Sequence, residues 1–181
     1  MKMSAIALMM LLTIPVLAAE TVPNTCVITF HVGATMHSFD GSVTSEPVET
    51  TPQGDAFDLK TRVTVTNMTT ANKKRDAEMF HMLHADNHAE IVGEARGVNW
   101  QNVRDASGAG KPLEFDLTIA GTTQGLAARV ENLNETEATV SFDAVFPVSL
   151  KAFGLKPPSV IGLIRVHDIV TVKAHFELPK S

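Results

Sequence analysis

The chain has 181 residues, enough for one domain with a substantial core. It is 44% hydrophobic and 19% charged, with a net charge of −5. That is an ordinary globular mixture without the basic face that nucleic-acid binding requires. The densest basic cluster, Lys73-Lys74-Arg75, is followed at once by Asp76. The single cysteine, Cys26, excludes an internal disulfide, so the core must hold without cross-links.

Residues 1–19 read as a secretory signal peptide. Lys2 precedes an apolar run from Ala5 to Leu17, and the small residues Ala18 and Ala19 offer a cleavage site before Glu20. The run is too short for a good spanning helix. The mature domain, 20–181, contains no later segment of membrane-spanning length. A periplasmic location is expected, with secretion left open.

Along the mature chain the hydropathy period is two. Less regular strands are predicted at Val27–Val32, Phe39–Thr44, Glu90–Val98 and Ala127–Asn132. Four rows alternate cleanly. Phe57, Leu59, Val63 and Val65 share one face. So do Phe115, Leu117 and Ile119; then Phe142, Ala144 and Phe146; then Val172 and Phe176 with their neighbours. Turn chemistry separates the strands at Thr51-Pro52-Gln53-Gly54, Ala106 to Gly110, Asn132 to Glu135 and Lys156-Pro157-Pro158. One stretch breaks the period. From Asn72 to about Asp86, Met79, Met82 and Leu83 fall at helical spacing, Asn72 stands at the N-cap, and Asp76 and Glu78 occupy the early turns. The expectation is an all-β domain with one short helix, an elongated antiparallel barrel of about eight strands, wide enough for side chains or one small ligand.

Catalytic motifs are missing. There is no Gly-x-Ser-x-Gly elbow around Ser38, no glycine-rich phosphate loop and no cysteine pair. Cys26 and His31 fall on opposite strand parity. His81, His84 and His88 are the metal candidate, since spacings of three and four put three imidazoles on one face of a continuing helix. Asp86-Asn87, however, reads as a helix end. His31, His37, His167 and His175 carry no ligand spacing, and parity turns His175 to solvent. The inward apolar rows suit a filled core and an open cavity equally, and periodicity alone leaves that choice open.

Six short motifs in order resemble the YceI-like family of exported lipid-binding proteins. They are Ser38-Phe39-Asp40-Gly41-Ser42-Val43; Val63 to Thr70 running into Asn72 and Arg75-Asp76; His84-Ala85-Asp86 to Ile91; Leu117 to Thr123; Phe142 to Leu155; and Val166-His167-Asp168-Ile169-Val170. The resemblance spans essentially the whole mature chain. It implies a lipocalin-like barrel with a helix packed beside it, acting as a carrier rather than an enzyme. Phe57, Leu59, Val63, Val65, Phe115, Leu117, Ile119, Phe142, Ala144, Phe146, Val172 and Phe176 would then line the ligand cavity. The implied partner is a small hydrophobic molecule, an isoprenoid-, quinone- or fatty-acid-like lipid, with no other cofactor; a homodimer is left open. The alternative is a metal-binding or interaction barrel with a filled interior, using His81, His84 and His88. Arg75-Asp76 reads as a structural pair at the helix start.

Overall fold

The computed structural model describes residues 24–35, 37–157, 159–160 and 164–180. The predicted signal peptide, 1–19, lies outside the described residues.

The elements follow in chain order: β1 (Thr25–Ala34), β2 (Phe39–Thr44), β3 (Glu49–Gln53), β4 (Ala56–Thr64), α1 (Lys73–Met82), β5 (Glu90–Val98), α2 (Trp100–Gly108), β6 (Leu113–Ile119), β7 (Thr122–Glu135), β8 (Thr139–Ser149), β9 (Ser159–Val160) and β10 (Ile164–Pro179). The sheet order is β2-β1-β10-β8-β7-β6-β5-β4-β3, all antiparallel, with β9 pairing only with β10. The ends of that order are consecutive in sequence. Between them, the Ser45 and Val48 N–H groups donate to the carbonyls of Cys26 and Asn24, and the Glu46 N–H donates to the carbonyl of Arg62. One bent segment, 39–53, therefore pairs with β1 by its first half and β4 by its second. Counted as a single stave, it makes the curl eight strands around, as the alternating rows predict. Closure removes the exposed edges that a long sheet would otherwise present.

Local chemistry explains several joints. Ile119 pairs with Thr122 across a two-residue hairpin whose central residues, Ala120 and Gly121, have φ of 47° and 77°. Two positive φ values match the right-handed twist of the flanking strands. Pro147 lies within β8 beyond Val145, the last β8 residue paired with β7, where a missing N–H costs no bond to that neighbour. Gly41 lies under the Phe30 ring: a Cβ there would come within 2.4 Å of two ring carbons, so the ring can lie flat across the wall only over a glycine.

Four details depart from the sequence expectation, the first being that the turn predicted at Thr51-Pro52-Gln53-Gly54 is strand β3 as far as Gln53. The strand predicted through Asn67 ends at Thr64, and Val65–Asn67 forms a 3-10 turn. Asn132–Glu135 is not a turn; it continues β7 through a bulge, with Asn132 at φ 52°. A second helix, α2, occupies a stretch whose Gly and Ser content reads as a loop. It starts on a reciprocal cap in which the Asn99 side chain accepts from the Asn102 N–H and the Asn102 side chain accepts from the Asn99 N–H. Because β4 and β5 are antiparallel, the helices that follow them cap opposite ends of the barrel.

Candidate functional site

The barrel is not filled. A cavity of about 870 Å³ lies inside it. Its wall is built by strand alternation: Cys26, Ile28, Phe30 and Val32 of β1 face inward, as do Leu113, Phe115, Leu117 and Ile119 of β6, and Phe142, Ala144, Phe146 and Val148 of β8. Eleven of the twelve sequence-predicted lining residues lie on this wall: Phe57, Leu59, Val63, Phe115, Leu117, Ile119, Phe142, Ala144, Phe146, Val172 and Phe176. Val65 does not. It is buried at 1% exposure in the core, where the chain has already left the strand for the 3-10 turn.

Toward the α2 end the wall is aromatic and tightly packed. Phe142 and Phe176 stack with centroids 5.0 Å apart, and Phe57 meets Trp100 at 4.8 Å. Such pairs add to the area they bury. Cys26 also faces inward and is fully buried. Desolvation pushes its thiol up to about 12, so it is an inert apolar wall atom and not a nucleophile.

Most of the polar lining lies at the α1 end, with His37, Asn72, Lys74, Arg75 and Glu78 beside the apolar Phe39, Met79 and Met82; Thr61 of β4 and Glu94 of β5 are the other polar lining residues. This rim is pinned by a compact network. Thr70, 4% exposed, is the hub. Its hydroxyl accepts from Arg75 Nε at 2.9 Å, and its carbonyl accepts from an Arg75 terminal nitrogen at 2.8 Å. Its hydroxyl and its N–H both donate to Asp76 Oδ1. Those Thr70 hydrogen bonds, with help from Thr69 and the Arg75 charge, hold the Asp76 carboxyl below its usual range. The Arg75 guanidinium also sits 4.1 Å above the Phe39 ring. Asn72 caps the helix by accepting from the Lys74 and Arg75 N–H groups. Arg75-Asp76 is thus a structural lock, as expected, and it fixes the cavity rim.

The histidines do not assemble. Helix α1 ends at Met82, His84 takes φ 54°, and His88 lies over Gly121 of the β6–β7 hairpin. His81, His84 and His88 therefore share no helix face. Among the described residues, no group of three or more His, Cys, Asp or Glu side chains is placed to hold a metal. His31 pairs with Asp40 at 2.7 Å on the outer surface, and His167 lies over Gly33. His175 is half-exposed on Asp143, at 2.7 Å. Asp143 is a buried carboxylate of the outer face; it also accepts from Asn132 and Lys173. Burial opposes its charge, but these bonds outweigh it and lower its pKa.

The β1 row and the α1 rim are lining residues that the sequence reading leaves out. The period-two pattern Cys26, Ile28, Phe30, Val32 carries a usable signal. Nothing local marks His37 or Lys74 as rim residues.

Among the described residues no helix is long and apolar enough to cross a membrane. No curated protein sequence matches the chain. Among solved structures it is similar to Burkholderia cenocepacia BcnA, with a TM-score of 0.65 at 17% identity over 84% of this chain and 95% of that one. It is also similar to a polyisoprenoid binding domain from Saccharophagus degradans, with a TM-score of 0.61 at 9% identity over 88% of this chain and 100% of that one. A third likeness is the Campylobacter jejuni YCEI protein, with a TM-score of 0.51 at 14% identity over 76% of this chain and 80% of that one. These establish the fold. The YceI-like domain matches residues 18–178, nearly the whole chain, and with a curled antiparallel sheet around an apolar cavity this protein belongs to the YceI-like family.

Proposed function

We propose that this protein is a periplasmic carrier that holds an isoprenoid-, quinone- or fatty-acid-like lipid in its barrel. The observation that carries the reading is the cavity: about 870 Å³ of space lined almost wholly by aliphatic and aromatic side chains, with polar groups mainly at one end. That suits a long apolar tail with a polar head. Each CH₂ removed from water contributes about 0.8 kcal/mol, so a tail of lipid length needs few polar contacts to be held. The Saccharophagus degradans relative is described as polyisoprenoid binding, which supports the same ligand class here. The predicted signal peptide supports export.

Native mass spectrometry of the purified mature protein, with organic extraction of anything released, tests the reading. A stoichiometric apolar passenger, or uptake of added prenols, quinones or fatty acids, is expected. Ala144→Trp places an indole in the middle of the wall and should abolish uptake while the protein remains folded. Undiminished uptake by the folded variant overturns the cavity as the site.

A further inference from the structure

At the α1 rim the acceptors are engaged and several donors are not. Asn72 Oδ1 accepts from the Lys74 and Arg75 N–H groups, and its side-chain NH₂ has no acceptor among the described residues. The Thr70 hydroxyl and carbonyl accept from Arg75, and the two Asp76 oxygens accept from Thr69 and Thr70. Arg75 gives Nε and one terminal nitrogen to Thr70; its other terminal nitrogen has no acceptor among the described residues. The Lys74 ammonium has none among them either. Asn72, Lys74 and Arg75 all line the cavity.

Cations on the strands and on α2 are neutralised in place: Lys60 pairs with Glu94, Arg104 with Glu135 and Lys173 with Asp143. Among the described residues neither Lys74 nor Arg75 has a carboxylate in ion-pair contact. Asp76 follows Arg75 in the chain, but its oxygens are held by Thr69 and Thr70. Glu78 is the acid that lines the rim, one turn along α1 from Lys74, so the lysine and the arginine face a single carboxylate there. The Arg75 guanidinium is also fixed before any ligand arrives, by its two bonds to Thr70 and by the Phe39 ring 4.1 Å from it. A donor held in this way loses little entropy when it binds.

A tail buried among the apolar strand residues leaves its head at this rim, where most of the polar lining lies. That head must meet donors with acceptors, and a charged acceptor makes the stronger bond. We propose that the α1 rim selects the head group of the bound lipid: an anion rich in acceptors, carboxylate or phosphate monoester, in preference to a neutral or cationic head on the same tail. Lys74 and Arg75 supply the charge, and the Asn72 amide adds a neutral donor. The proposal rests on the carrier reading above and narrows its ligand class.

The test keeps the tail constant and changes the head. Palmitic acid, cetyl phosphate, cetyl alcohol and cetylamine are compared by native mass spectrometry and by competition, at neutral pH and low salt. Palmitate and cetyl phosphate should each bind about tenfold tighter than the alcohol, and the amine should bind weakest. Lys74→Glu, at an exposed position, should cut the anion-over-alcohol ratio by about fivefold, and Lys74→Gln should move it the same way by less. Lys111→Glu makes the same charge change on an exposed side chain before β6, at the α2 end, and should leave the ratio as in wild type. Equal binding of all four heads, or a preference for the alcohol or the amine, overturns the proposal. So does a ratio unchanged in both folded Lys74 variants, or lowered as much by Lys111→Glu. Displacement of palmitate by equimolar inorganic phosphate also overturns it, because the rim would then hold a free anion. If none of the four binds, the carrier reading itself falls and the head-group selection falls with it.

Discussion

The two ends of the barrel are both finished by a short helix that follows a strand, yet they do opposite jobs. At the α1 end the helix stands beside an open rim, held by contacts that span five or six residues: Arg75 and Asp76 on Thr70. At the α2 end the helix closes the base. It does so by burying Val103 and Ala106, by setting Trp100 against Phe57, and by a two-pronged pair from Arg104 to Glu135 at 2.7 and 2.8 Å, thirty-one residues away. Lys180 reaches the same carboxylate from the end of the chain. The difference teaches that a polar local lock can position a rim without plugging it, whereas a plug needs apolar contacts with distant strands. Only apolar burial supplies enough free energy to seal a lipid-sized cavity.

The sharpest way to break this contrast is to attack the plug. Val103 is 1% exposed. Val103→Asp should cost about 3 to 5 kcal/mol, because a buried charge is left without a partner. Urea unfolding measures it; a loss near zero would mean that α2 is not docked. Next comes the rim. Thr70→Val removes the hub hydroxyl and should lower Tm by about 3 to 6 °C. Its larger effect should be on ligand exchange, since the α1 rim loses its anchor. A variant with normal Tm and normal exchange would show that the lock is idle.

The smallest effect concerns acid. The Arg104 and Lys180 hydrogen bonds lower the Glu135 pKa from 4.5 to about 2. A depressed carboxyl pKa stabilises the fold above the unfolded value and loses that contribution as pH falls through the folded one. The α2 end should therefore weaken between pH 4.5 and 2. Hydrogen exchange of the α2 amides across that window measures it, and Glu135→Gln should flatten the profile. Equal pH dependence in both proteins would assign the acid sensitivity to other groups, among which Asp76, Asp143 and Asp168 are also depressed.

Legibility followed the range of the contacts. The α1 cap on Asn72 and the inward rows of β4, β6, β8 and β10 could be read because each depends on residues close in sequence. Val65 is not among the cavity-lining residues because alternation in the sequence continues past the point where the backbone turns into a 3-10 helix. The three histidines failed as a group for the same kind of reason. Their spacing assumes a helix that ends at Met82, before His84. α2 was invisible because its docking partners, Phe57 and Glu135, lie far away in the chain.

The sequence by itself determined the class of the protein. Period-two hydropathy specifies strands with one dry face, Asn72 with the early acids Asp76 and Glu78 specifies a capped helix start, and the order of motifs specifies the family. Tertiary structure alone decided that the dry faces enclose space instead of meeting. It also decided that segment 39–53 closes the curl, that the polar rim lies at the α1 end, and that β5 leaves β6 after Glu94. The physical reason is that a side chain's inward direction follows from local backbone geometry. How far the inward side chains then stand from those opposite is set by register, bulges and strand number, which are properties of the whole sheet.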